Sequence, residues 1–300
     1  VIVVDKMALI SAGDLITDDG QLEFNGYLLG DNEKTFLDTI NGWDDLPGID
    51  SGNTLRANAH GGWSGKKLAG MRTITWDGRF APPPERWEEE IRQLRSSLTI
   101  PEGAEESPIV IRSHGEKKMA YGALTARALP MDRAYGYYGA KMALKFECSD
   151  PRRYSLEEHV WNLQMPPVVS VGLVYPLTYP LDYGEEVTSS VGNLVNDGDI
   201  LTPITIVMNG PMFNPAIINQ TTGVRLQFNI NLSADEFLQI DTRVGTVFLN
   251  GIADRLYTRS AISAPILSFG LVPGDNQIQL TASSWGSNAS ATIIWRDATL

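Results

Sequence analysis

Apolar and polar residues alternate over short stretches along most of this chain, and only one stretch repeats at a helical spacing. In the first half, the alternation predicts strands at 1–4, 21–29, 68–77, 109–113, 119–129 and 140–148. Each is bounded by clusters of Gly, Pro, Asp or Asn. The exception follows Pro82-Pro83-Pro84. There Trp87, Ile91, Leu94 and Leu98 stand at i, i+4, i+7 and i+11, one stripe of an amphipathic helix. Glu88, Glu89 and Glu90 in its first turn, with Arg92 and Arg95 further on, suit the helix dipole. Pro101 closes the helix, and 101–108 reads as an exposed acidic loop.

The second half reads as all β. Val224, Leu226, Phe228, Ile230 and Leu232 alternate with polar residues, the mark of a strand with one wet face. Val247-Phe248-Leu249 runs into Asn250-Gly251, a two-residue hairpin signal. Shorter strands are predicted at 203–208, 237–240, 278–282 and 291–295, with Pro273-Gly274-Asp275-Asn276 as a turn between two of them. Short strands at this spacing, with no helical pattern between, predict a β-sandwich.

Charge divides the chain further. Residues 1–165 hold 19 Lys and Arg against 25 Asp and Glu, and the rest holds 5 against 11. The shift in charge density predicts two domains, 1–165 and 185–300. The junction falls at Met165-Pro166-Pro167, and a Pro- and Tyr-rich linker or arm covers 166–184. The whole chain, 300 residues with a formal charge of −12, carries too much negative charge for strong binding to a phosphate backbone. No apolar run is long enough for a membrane helix, and the start shows a strand pattern rather than a signal-peptide layout. A single cysteine, Cys148, rules out an intrachain disulfide, a zinc finger or an iron–sulfur site.

Candidate chemistry is sparse. His60, His114 and His159 are far apart and outside any metal-ligating spacing. Gly61–Lys66 suggests a phosphate loop, but His60 stands where that pattern needs its first Gly, and Lys67 where it needs Ser or Thr. The segment reads instead as a flexible loop. Ser64–Lys67 fits S-x-x-K without the companion motifs. Cys148 ends an apolar strand and reads as a buried structural thiol. Asp44-Asp45 and Glu185-Glu186 are adjacent acids of the kind solvated in loops. With no cofactor motif and no nucleophile or acid–base cluster, the chain is expected to assemble or recognise rather than catalyse.

An ordered set of short motifs resembles a known family. In the first half these are Gly42-Trp43-Asp44-Asp45-Leu46-Pro47, Ala59-His60-Gly61-Gly62, Arg72-Thr73-Ile74-Thr75-Trp76-Asp77-Gly78, and the segment from Phe146 through Cys148 and Pro151 to Tyr154. In the second half they are Gly192-Asn193, Thr202-Pro203, Asn219-Gln220-Thr221-Thr222-Gly223, Ile240-Asp241-Thr242, Val247–Gly251, Leu271–Ile278 and Ile294–Ala298. The set resembles the distal tail proteins of long, non-contractile-tailed bacteriophages, as found in actinobacterial viruses, and spans nearly the whole chain.

The resemblance implies a mainly β fold. Its N-terminal part would be a β-sandwich or split-barrel, tube-like domain with one α-helix, and its C-terminal part a galectin-like β-sandwich. It implies a structural virion protein at the phage tail tip, made in the host cytoplasm. Six copies would form a ring joining the tail tube protein to the tail-tip hub, beside the tape measure protein, and leave a channel for DNA to pass without specific binding. Long loops such as 40–65 and 81–84 are candidates for the head-to-tail contacts such a ring needs. The alternative is a carbohydrate-binding module that recognises host cell-wall glycan. In that reading Trp285 and Tyr257 stack on sugar rings, against the plainer role of core or rim packing.

Overall fold

The computed structural model describes residues 11–100, 103–133, 135–166 and 189–300. The strand expected at 1–4, Pro101, Glu185-Glu186 and all but the first residue of the expected linker lie outside them. The chain divides into two compact units, the first ending at Leu156 and the second running Glu157–Thr299.

The first unit is one antiparallel sheet curled over its own core. Its strands lie in the order Tyr27–Leu29, Leu22–Phe24, Ser107–Ser113, Glu116–Ala128, Ala140–Cys148, Arg72–Phe80 and Thr35–Asn41. The 21–29 stretch is a hairpin rather than one strand. Asn25 and Gly26, at φ 48° and 70°, supply the left-handed pair that a two-residue turn requires. Glu116–Ala128 serves both halves of the sheet. Residues 116–122 pair with Ser107–Ser113, and 123–128 pair with Ala140–Cys148 across an irregularity between Leu124 and Ala126. Such a bulge bends and twists a strand. The curl brings Phe24 and Phe146, whose strands have two others between them in the sheet, edge to face at 5.1 Å. Among the described residues no ladder joins the end strands, so the fold is β-rich without a closed barrel.

Period-2 patterning sets what fills this core. Ile74, Trp76 and Phe80 point inward from one strand, and Met142, Leu144, Phe146 and Cys148 from its neighbour. Gly78 continues the inward series because a Cβ there would stand 2.4 Å from the Trp76 ring and 2.2 Å from the Phe36 carbonyl oxygen. The helix Trp87–Ser97 covers the same core with Trp87, Ile91, Leu94 and Leu98, the predicted stripe. Each fully buried Leu contributes about 1.5–3 kcal/mol. Trp87 closes this end against Phe80 at 5.3 Å and Tyr135 at 5.2 Å.

The second unit is a sandwich. One sheet orders His159–Gln164, Ser290–Trp295, Ile204–Asn209, Phe237–Asp241, Thr246–Leu249 and Ala253–Asp254. The other orders Ser189–Asn196, Gly274–Thr281, Ala216–Asn219 and Val224–Gln227. Ile206, Met208, Ile240 and Ile293 from the first meet Ile217, Leu226, Ile278 and Leu280 from the second in one core. His159–Gln164 pairs along its length with Ser290–Trp295, which places these residues in this sandwich although the composition shift lies after them.

In the second unit, three local readings differ from the structure. The alternation over 224–232 is not one strand. Val224–Gln227 pairs with Ala216–Asn219, whereas Asn231–Leu232 pairs with Met212–Phe213 in a separate small sheet. Between them the Asn229 amide donates to Thr258 O, and Ile230 O accepts from the Asn214 amide, so the backbone leaves the ladder while the apolar side chains still point inward. After Thr246–Leu249 the chain turns through three residues, Asn250 to Ile252, before pairing resumes at Ala253. The expected turn at 273–276 belongs partly to the strand, because Gly274–Asn276 already pair with Leu194–Asn196.

Asn276 holds that strand entry. Its buried side chain accepts from the Val272 amide at 2.9 Å and donates to Val272 O at 2.7 Å and Gly274 O at 2.8 Å. It also accepts from Asn219 Nδ2 at 3.1 Å, while Asn219 and Asn196 reach Gly270 O and Leu271 O at 2.9 and 3.1 Å. Three buried asparagines thus replace backbone pairing where the 197–202 and 270–273 segments leave the ladders. The substitution Asn276→Ala strands several of these groups. It is expected to lower the stability of the second unit by about 2–3 kcal/mol, read as an earlier urea midpoint in tryptophan fluorescence with the first unit's transition unchanged.

Candidate functional site

Three of the four motifs of the first half converge on one arginine, and the fourth, Ala59–Gly62, lies in an exposed hairpin. Arg72 opens its strand at an inward position and is 1% exposed. Its Nη1 donates to the carbonyl oxygens of Gly42 and Trp43, both at 2.7 Å, and of Asp45 at 2.8 Å, while its Nε donates to Pro151 O at 2.8 Å. One guanidinium therefore ties the Gly42–Asp45 turn and the Pro151 segment to the sheet. Burial first, then the nearby Arg153 cation, press its pKa below the usual value, while Cys148, Asp44 and Asp45 act in the opposite direction.

Neighbouring groups complete the arrangement. Asp45 Oδ2 accepts from the Gly42 amide at 2.9 Å and closes the turn. Asp44 takes Arg153 Nη1 at 2.6 Å, and the Arg153 guanidinium lies 5.7 Å from the Trp43 ring centre. Tyr154 donates its hydroxyl to Asp150 Oδ2 at 2.5 Å. The adjacent acids Asp44 and Asp45 thus both work in holding loops.

The remaining candidates are placed apart. His60 is exposed near a hairpin tip, and His114 sits with φ 52° in the turn between Ser113 and Glu116. His159 stacks on Trp295 at 5.2 Å, with Nε2 3.0 Å from Asp297 Oδ2. Those partners lie some 138 positions on, so no local pattern could announce them. Among the described residues no group of His, Cys, Asp and Glu is arranged to hold a metal ion. Cys148 is buried, and desolvation pushes its thiol up to about 12, which keeps it protonated and a poor nucleophile. The segment that imitates a phosphate loop is an ordered hairpin arm. Ile49–Asp50 pairs with Leu68–Ala69, and Thr54–Leu55 with Gly62–Trp63.

The two aromatic residues considered for sugar stacking have different surroundings. Tyr257 is 77% exposed and lines an open depression of about 600 Å³ with Val244, Asp254, Leu256, Arg259 and Leu267. The Arg255 guanidinium lies 5.9 Å from its ring centre. Trp285 does not line that depression. Its indole N–H donates to Pro166 O at 2.8 Å, and its ring packs against the sandwich core.

Residues 197–298 match the family described as siphovirus-type tail component, C-terminal domain, that of SPP1 Dit. The resemblance to siphophage distal tail proteins holds. The solved SPP1 Dit (gp 19.1) protein, described as a paradigm of hub adsorption apparatus in Gram-positive infecting phages, shares the fold. Its TM-score is 0.62 at 15% identity, covering 93% of this chain and 99% of that one. Two structures of the phage P2 baseplate in its activated conformation are also similar. The one with Ca has a TM-score of 0.46 at 11% identity, covering 84% of this chain and 88% of that chain. The one with Sr has a TM-score of 0.49 at 11% identity, covering 92% and 96%. No curated protein matches the sequence.

The Gly42–Pro47, Arg72–Gly78 and Phe146–Tyr154 motifs are thus tied together by structure, with Arg72 as their common partner. The substitution Arg72→Met leaves four carbonyls without their donor and is expected to destabilise the first unit by at least about 3 kcal/mol. Arg72→Lys, with a single ammonium in place of a planar fork, falls between the two. Urea unfolding of the full chain with all three proteins checks this ordering.

Proposed function

We propose that the protein is a structural component of the siphophage virion, placed at the tail tip as a hub adaptor. What carries the reading is the match of 197–298 to a siphovirus tail component domain, joined to a fold likeness with SPP1 Dit over nearly the whole chain. In this reading the first unit is the ring-forming, tail-tube-like domain and the second the galectin-like sandwich. Six copies close a ring that joins the tail tube to the hub and leaves a channel for DNA. The acidic balance supports free passage of DNA, since six copies bring about −72 formal charges. The role is non-enzymatic, in keeping with the likeness to a siphovirus tail component domain.

The purified 300-residue chain, viewed by negative-stain electron microscopy across a concentration series, tests the ring. Open six-lobed particles near 197 kDa, six times 32.9 kDa, are expected. Compact monomers at every concentration count against it.

A second reading rests on the open depression beside Tyr257, whose exposed ring offers a flat face to a sugar. Here the second unit binds a host cell-wall glycan, with Tyr257 as the stacking residue. Pull-down on host cell wall is expected to weaken about tenfold for Tyr257→Ala. Equal binding by that variant and the parent protein rejects the site.

A further inference from the structure

The depression beside Tyr257 has sides fixed by main-chain bonds. Two short 3₁₀ turns, Leu256–Thr258 and Ile266–Ser268, flank it. The backbone fastens both to the sandwich. The Arg255 amide donates to Val247 O at 2.8 Å, the Asn229 amide to Thr258 O at 2.7 Å and the Ala264 amide to Arg225 O at 2.9 Å. Gly245 adds a further side at φ 84°, where a Cβ would stand 3.2 Å from Leu267 Cδ2. A hollow held in this way is formed before a ligand arrives, so binding does not have to order a loop. Its volume of about 600 Å³ falls within the range of about 300–1,000 Å³ common to small-molecule sites.

The lining combines three kinds of group. Val244, Leu256 and Leu267 make an aliphatic wall, 58%, 43% and 62% exposed, and none joins the sandwich core. Tyr257 supplies a flat ring. Asp254 and Arg259 supply one carboxylate and one guanidinium. Asp254 Oδ1 accepts from the Leu256 amide at 2.8 Å, and Arg259 Nη1 donates to Ala264 O at 3.0 Å. Among the described residues, Asp254 Oδ2 and Arg259 Nη2 carry no hydrogen bond. Charge is nearly balanced: residues 241–267 hold Arg243, Arg255 and Arg259 against Asp241 and Asp254, a formal +1. Such a site has no field strong enough to select a polyanion. A sugar bearing hydroxyls alone suits the ring and the two polar groups but sets polar groups against the aliphatic wall. An acetamido group suits all three. Its N–H donates to the carboxylate, its carbonyl accepts from the guanidinium, and its methyl covers the wall while the sugar ring stacks on Tyr257.

From this lining we infer that the depression takes an uncharged N-acetylated hexosamine, with Asp254 and Arg259 holding its acetamido group and Val244, Leu256 and Leu267 covering the methyl. The inference deepens the glycan reading of this site and rests on it. A hydroxyl in place of the acetamido group leaves the wall bare, and a free ammonium brings a second cation beside Arg259.

The test is a ligand-observed NMR titration of the 300-residue chain with three trisaccharides. They share a β-linked glucose backbone and differ in one substituent per ring: triacetylchitotriose carries acetamido, cellotriose hydroxyl and chitotriose ammonium. The acetylated sugar is expected to bind at least about tenfold tighter than either of the others. Asp254→Asn keeps an oxygen for the Leu256 amide but turns a donor toward the ligand, and Leu267→Ser opens the wall. Each is expected to weaken the acetylated sugar at least about fivefold. Both positions are exposed, and unchanged urea midpoints confirm that the variants fold. Equal affinity for the acetylated sugar and cellotriose overturns the acetamido assignment while the glycan reading stands. A preference for the acetylated sugar that both variants retain overturns its placement in this depression. If no trisaccharide binds while the protein still needs Tyr257 to hold host cell wall, the acetamido assignment falls alone. If cell-wall binding is also absent, it falls together with the glycan reading.

Discussion

One buried guanidinium organises the first unit. Arg72 occupies an inward strand position where its neighbours in the series are Ile74 and Trp76, and an unpaired charge there would be costly. The structure offsets that cost by bringing four main-chain carbonyls to it. The demand runs both ways: the carbonyls of an irregular turn are satisfied, and the turn is fixed to the sheet. The Asp44–Arg153 pair over Trp43 and the open edge at Thr35–Asn41 are arranged around that anchor.

The second unit solves the same problem with neutral groups. Where segments leave the ladders, Asn196, Asn219 and Asn276 each present a donor and an acceptor on a short side chain, and Thr202 and Thr242 add hydroxyls. Thr242 both accepts from the Ile204 amide and donates to its carbonyl. A charge-poor sandwich can therefore keep its buried backbone satisfied without importing ions.

Much of this architecture was legible from local pattern, because one-sided burial forces a period of two in strands and a stripe in the helix. Ala140–Cys148 and the Trp87, Ile91, Leu94, Leu98 stripe are examples. What could not be read was set at a distance. The partners of Arg72 lie 27 to 79 positions away, and a strand-like arginine looks like any edge residue until they are located. The 224–232 alternation persists while its hydrogen bonds change sheets, since alternation records which way side chains face and not which strand lies alongside. The Gly-rich segment around Gly61–Lys66 reads as flexible because its ordering comes from backbone pairing, which leaves no trace in side-chain pattern. Of the two aromatic candidates, Tyr257 lines a concave surface and Trp285 is engaged by the carbonyl of Pro166.

The strand order also carries a consequence in time. Leu22 pairs with Ile111, and His159 pairs with Trp295. At a ribosomal pace of roughly 5–20 residues per second, the Leu22–Leu29 hairpin emerges on the order of 4–18 s before the strand it must join. His159–Gln164 waits on the order of 7–27 s for Ser290–Trp295. Each unit is thus stitched shut by a late strand returning to an early one. During synthesis the early strands stay unpaired along one edge, and neither sheet is complete until its late strand has been made.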